Sequence, residues 1–146
     1  VSMPAAIHRR QAALTIGFAV VGVGWVASQS GSNSSRFVVP ELEIAAAKAL
    51  LDAGALAIDV RGVEQFGYRH LPGAILVPLV ALRVAIPVAL AQAKARQIVV
   101  YCNDGHTSGP EATDILRRNG YANAANLRAG VEGWASAGLP FKAGKA

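Results

Sequence analysis

The 146 residues hold one cysteine, one methionine and three histidines. A single thiol closes no internal disulfide, so the disulfide-stapled small folds are excluded. Dithiol exchange of the thioredoxin kind is excluded too, because it needs a second, resolving cysteine. His8, His70 and His106 are too few and too scattered to make a metal cluster with Cys102, and no metal is expected. Charge is also sparse, at 16% of residues, against 53% hydrophobic. That balance excludes a disordered acidic or basic tail protein. The net charge of +5 comes from scattered residues, with no basic run longer than the pairs Arg9-Arg10 and Arg117-Arg118. A nucleic-acid binder concentrates its charge in a patch or stripe, so no nucleic-acid partner is expected.

What is present begins with an uncharged stretch from Gln11 to Ser35. Within it, Ala12 to Ala27 is an apolar run of 16 residues holding Gly17, Gly22 and Gly24. His8, Arg9 and Arg10 precede the run, and a polar segment of Ser, Gly, Asn and Gln follows it. Basic, then apolar, then small and polar is the order of an export signal. Val26-Ala27-Ser28 offers small residues where a peptidase cuts. The run falls short of the ~20 residues a spanning helix needs, though close to the lower limit of about 17. A buried core helix is the competing reading, disfavoured by the polar linker that isolates the run. The expectation is an N-terminal signal peptide or membrane-anchor helix with its linker over residues 1–35, and a globular domain over 36–146. The basic flank then leaves that domain exported, periplasmic or membrane-anchored, facing outside the cytoplasm, with membrane contact only if the segment stays uncleaved.

A chain of ~110 residues is long enough to bury its own core. Its pattern alternates. Pro40 is expected to open an alanine-rich helix, with Glu41 and Glu43 complementing the dipole and Gly54 closing it. Ala55 to Val60 reads as a buried strand, Ala74 to Val77 as another short one, Gln97 to Tyr101 as the clearest strand and Ala124 to Leu127 as a last short strand. Leu79 to Ala95 reads as two short helices, or one broken at Pro87. Glu111 to Asn119 and Val131 to Ala137 read as helices stopped by Gly120 and Gly138. Strands alternating with helices give an α/β fold with a mainly parallel sheet covered on both faces. Functional residues of such sheets lie at the carboxyl ends of the strands, which points to Asp59-Val60-Arg61, to the stretch before Pro78 and to Cys102.

Cys102 ends the most apolar strand. The loop Asn103-Asp104-Gly105-His106-Thr107-Ser108 follows, and then a helix start. Backbone N–H groups at a helix N-terminus lack helical partners and favour an anion. The thiolate is the reactive form of cysteine, and such surroundings favour it. An inert buried cysteine is the competing reading.

Three ordered motifs carry a family resemblance. The first is Asp59-Val60-Arg61 with Glu64, Phe66 and His70-Leu71-Pro72-Gly73-Ala74. The second is Ile98-Val99-Val100-Tyr101-Cys102 with Gly105. The third is Gly120-Tyr121, Leu127, Gly130, Gly133-Trp134 and Ala137-Gly138-Leu139-Pro140. Together they make residues 38–141 resemble a single rhodanese-like domain. The resemblance implies a five-stranded parallel sheet with helices on both sides. It implies a sulfurtransferase in which Cys102 takes a sulfane sulfur from a persulfide, polysulfide or thiosulfate and carries it as a persulfide. The sulfur then passes to a thiol, a cyanide-like nucleophile or a protein acceptor. No cofactor is implied. The amides of Asn103 to Ser108 would cradle the sulfur anion, with Asp59, Arg61 and Arg69 in support.

The sequence departs from the family pattern in places. The loop carries no arginine, and Asp104 adds a negative charge. Thiosulfate, a dianion, is therefore expected to be a poor donor. Arg69 stands where a small residue is usual, and Ala129 replaces one of two paired glycines. Glu64 is expected to pair with Arg61, and Thr107 and Ser108 either donate hydroxyls to the persulfide or cap the helix. Related phosphatases and arsenate reductases end a longer loop with an arginine that clamps the oxyanion. Six positions after Cys102 stands Ser108 instead, which disfavours phosphoryl transfer. A second alternative is a non-catalytic carrier or sensor module that binds a partner protein.

Overall fold

A computed structural model describes residues 36–145. The elements run β1 (Glu41–Leu42), α1 (Ile44–Asp52), β2 (Leu56–Asp59), α2 (Val63–Tyr68), β3 (Ile75–Leu76) and α3 (Leu79–Leu82). A 3-10 helix (Val88–Ala93) follows, then β4 (Ile98–Tyr101), α4 (Gly109–Arg118), β5 (Ala124–Leu127) and α5 (Gly130–Ser136). The five strands form one parallel sheet in the order β1-β5-β4-β2-β3. The central strand β4 is buried along its whole length, which is why it reads as a continuous apolar run.

Alternation along β4 feeds two cores. Ile98 and Val100 face one side, with Ile58, Leu82, Leu90 and Leu116. Val99 and Tyr101 face the other, with Ala47, Val131 and Trp134. Each successive side chain of a strand points to the opposite face, so one strand anchors helices on both sides. The expected helix-covered parallel sheet is therefore present.

Three local expectations change. Pro40 does not open a helix: its carbonyl accepts a hydrogen bond from the Asn126 amide at 2.8 Å, at the start of the edge strand β1. Proline's missing N–H is tolerated at a sheet edge. The helix begins only at Ile44. Helix α2 was not expected, since VEQFGY carries glycine and β-branched and aromatic residues of modest helix propensity. Phe66 holds it, buried and stacked on His70 at 3.8 Å between ring centroids.

Localisation is the third. The sequence pointed to an exported or membrane-anchored protein facing outside the cytoplasm. Among the described residues, no helix is long and apolar enough to cross a membrane. The longest, α4, has ten residues. At ~1.5 Å per residue it reaches about half of a ~30 Å hydrocarbon core. The apolar run from Ala12 to Ala27, read as a signal or anchor helix, lies outside the described residues.

Candidate active site

Strand β4 delivers Cys102 to the carboxyl edge of the sheet, where it is only 1% exposed. The chain then turns through residues 103–108 and enters α4 at Gly109. Two glycines make the turn close enough. Gly105 has φ +79°, and a β-carbon there would collide with the Arg128 carbonyl. A β-carbon on Gly109 would strike Asn126 Oδ1 and stand 3.3 Å from Cys102 Sγ. Backbone approaches that close exclude any side chain.

Three groups hold the loop from outside. Arg61, at the end of β2, is 7% exposed and sits on the buried Asp59 carboxylate at 2.7 Å. Its Nη1 donates to Asn103 Oδ1 at 3.1 Å, and its Nη2 donates to the Arg69 carbonyl at 2.7 Å. Burial works against the Arg61 charge, yet Asp59 outweighs it and raises the guanidinium pKa. The amides of Val131 and Glu132, at the start of α5, donate to the carbonyls of Cys102 and Asn103 at 2.9 and 3.0 Å. Asn126, in the middle of β5, donates from Nδ2 to the Gly105 carbonyl at 2.8 Å. Its Oδ1 is a buried oxygen with no hydrogen-bond partner among the described residues.

Asp104 organises the inside of the loop. Its Oδ1 accepts the amides of His106 and Thr107 at 2.8 and 3.1 Å and the Thr107 hydroxyl at 2.8 Å. The Cys102 thiol points at the same oxygen from 3.5 Å. Burial would raise the carboxyl pKa, but those hydrogen bonds pull it down to about 2. Asp104 is therefore an anion at neutral pH, beside the thiol.

The other expected residues fall as follows. The His106 side chain is exposed. The Thr107 hydroxyl stands 3.8 Å from Sγ but is engaged by Asp104. Ser108 occupies the N-cap position of α4 without a side-chain capping bond. The Arg69 guanidinium lies over the Phe141 and Tyr68 rings, so its link to the loop runs through its carbonyl. Arg61 pairs with Asp59 rather than with Glu64. Among the described residues, no group of His, Cys, Asp and Glu suits a metal.

Sequence reasoning missed Asn126. A lone asparagine in a short strand, apart from the three motifs, carries no signature of its own. The available signal was its place between the apolar Ala125 and Leu127, and the structure buries all four positions of the strand.

A thiol at the carboxyl end of a central parallel strand, in a loop running into a helix N-terminus, matches a known family. The profile of the rhodanese-like domain covers residues 43–137. The chain belongs to the rhodanese-like family. A rhodanese-like relative, the thiosulfate sulfurtransferase PspE of Escherichia coli, is 41% identical over 69 residues, covering 47% of this chain and 64% of that protein. A sulfurtransferase of Allochromatium vinosum is 33% identical over 89 residues, covering 60% of this chain and 78% of that protein. Among solved structures, the human single-domain sulfurtransferase TSTD1 superposes with a TM-score of 0.56 at 27% identity. That match covers 68% of this rhodanese-like chain and 97% of the human one. In this setting Cys102 is the side chain able to act as a sulfur nucleophile, because it carries the chain's one thiol and the Met3 thioether cannot ionise.

Proposed function

We propose that the protein moves a sulfane sulfur from a donor to a nucleophilic acceptor through a persulfide on Cys102. The observation that carries this is the lone cysteine at the carboxyl end of β4, lodged against the N-terminus of α4 in a rhodanese-like fold. The activities for which the two relatives are named, sulfurtransferase and thiosulfate sulfurtransferase, support the same reaction.

The steps follow from the thiolate's chemistry. The Cys102 thiolate attacks the outer sulfur of the donor, an S–S bond forms to Sγ, and the donor's own sulfur bond breaks. Its electron pair leaves with the sulfite or thiolate product. An acceptor thiol or cyanide then attacks the outer sulfur and returns Cys102 as thiolate. This is covalent catalysis through one nucleophile. The loop amides not taken by Asp104, those of Gly105 and Ser108 among them, form the cradle for the sulfur. Arg61 acts at a distance: it ties Asp59, Asn103 and the Arg69 carbonyl into the wall that fixes the loop.

Cyanide supplies the test. Protein loaded with glutathione persulfide and then desalted should release about one thiocyanate per chain on adding cyanide, as one nucleophile per chain requires. The Cys102→Ser variant should release none. Thiocyanate from the variant, or none from the wild type, would refute the reading.

A further inference from the structure

Cys102 is buried in this structure, and a carboxylate stands beside its sulfur. One carboxylate oxygen of Asp104 takes the His106 amide, the Thr107 amide and the Thr107 hydroxyl, and lies 3.5 Å from Sγ. These donors are of the kind that would receive an incoming anion. The nearby cations are committed elsewhere. Arg61 is held by Asp59, and the Arg69 guanidinium lies over Phe141. The Arg128 backbone carbonyl lies close against Gly105, while its guanidinium meets Glu41 and Glu43. His106 projects outward.

We infer that Asp104 selects the donor by charge, admitting persulfide thiols of the form R–S–SH and rejecting thiosulfate. This rests on the persulfide reading above. With R–S–SH, the bond from Sγ to the outer sulfur forms as the sulfur–sulfur bond RS–SH breaks. RS⁻ leaves with the electron pair, and the proton stays on the outer sulfur as the bond forms, so the reacting donor brings no charge to Asp104. With thiosulfate, the bond from Sγ forms as the bond to the sulfonate breaks. Sulfite leaves with the electron pair, and a charged Cys–S–S⁻ remains. A dianion must then enter next to a carboxylate that already occupies two loop amides. Like charges in direct contact repel, and the repulsion acts on the dianion and not on an uncharged donor. A carboxylate held at a pKa of about 2 does not escape by taking up a proton at neutral pH.

The test compares persulfide loading rates from thiosulfate and from 2-hydroxyethyl persulfide, whose R group is uncharged. Wild type, Asp104→Asn and Asp104→Ala are measured side by side. Asparagine keeps an oxygen to accept the loop amides and removes the charge. The expected result is a wild-type preference for the alkyl persulfide. The thiosulfate-to-persulfide rate ratio should rise about tenfold or more in both variants. A wild-type preference for thiosulfate overturns the inference. So does an unchanged ratio in Asp104→Asn, and so does a rise confined to Asp104→Ala, which would assign the effect to blocked amides instead. Loading from neither donor in any of the proteins would bring down the persulfide reading itself, and the inference with it.

Discussion

Arg61 and Asp59 form a buried ion pair directly behind the cysteine loop. Taking two charges out of water is costly, and removing one partner strands the other. Arg61→Ala should therefore lower stability by ~3–5 kcal/mol in urea unfolding, the usual cost of breaking such a pair. It should also slow persulfide loading, because Asn103 and the Arg69 carbonyl lose their shared partner. Wild-type stability with normal loading would show that the pair does not brace the loop. Asp104 is a different kind of residue, near the surface and engaged with its own loop. Its folded pKa is depressed to about 2. A carboxylate depressed on folding stabilises the protein above its unfolded pKa of ~3.9, and that contribution is lost as pH falls through the folded value. The stability difference between wild type and Asp104→Asn should thus hold steady above about pH 5 and shrink between about pH 4 and pH 2. A difference independent of pH across that window would mean that the hydrogen bonds to the loop amides do not depend on the charge.

Among the elements, those that carry the nucleophile were the most legible. Strand β4 has apolar residues at every position and β5 at three of its four, and Pro87 breaks the apolar stretch between β3 and β4, as its missing N–H requires. Helix α4 begins two residues earlier than expected because Gly109 and Pro110 suit a helix start. The two misplaced elements are short and depend on tertiary contacts. Strand β1 has two residues and exists because β5 pairs with it. Helix α2 exists because Phe66 is buried, with the His70 ring against it and His70 Nδ1 hydrogen-bonded to the Phe66 carbonyl at 2.8 Å. Pattern reading sees local preference, and here packing overrides it. Helix α2 matters to the site because it leads into Arg69, whose carbonyl holds Arg61. Phe66→Ala should cost ~3–5 kcal/mol, the range for emptying a buried aromatic site. Loading by the folded fraction should fall along with it. A folded variant that loads sulfur at the wild-type rate would separate α2 from the chemistry.

Across the whole molecule, the parallel sheet is what assembles the site. Asp59, Arg61, Cys102 and Asn126 come from three segments distant in sequence. Strands β2, β4 and β5 lie side by side and run the same way, so these residues meet at one edge. The nucleophile, its loop and the Asp59-Arg61 support were visible in sequence because each carries an unusual residue type in an apolar setting. The self-occupation of the loop by Asp104 was not visible. Sequence showed a charge near the thiol but not that one oxygen would gather two amides and a hydroxyl. Nor did it show that Arg69 would turn its guanidinium to aromatic rings. The account stands on the sulfur itself. The decisive measurement is the intact mass of the protein after glutathione persulfide treatment, beside Cys102→Ser. The account predicts a gain of one sulfur atom in the wild type, removed by cyanide and absent from the variant. An unchanged wild-type mass, or the same gain in Cys102→Ser, would contradict it.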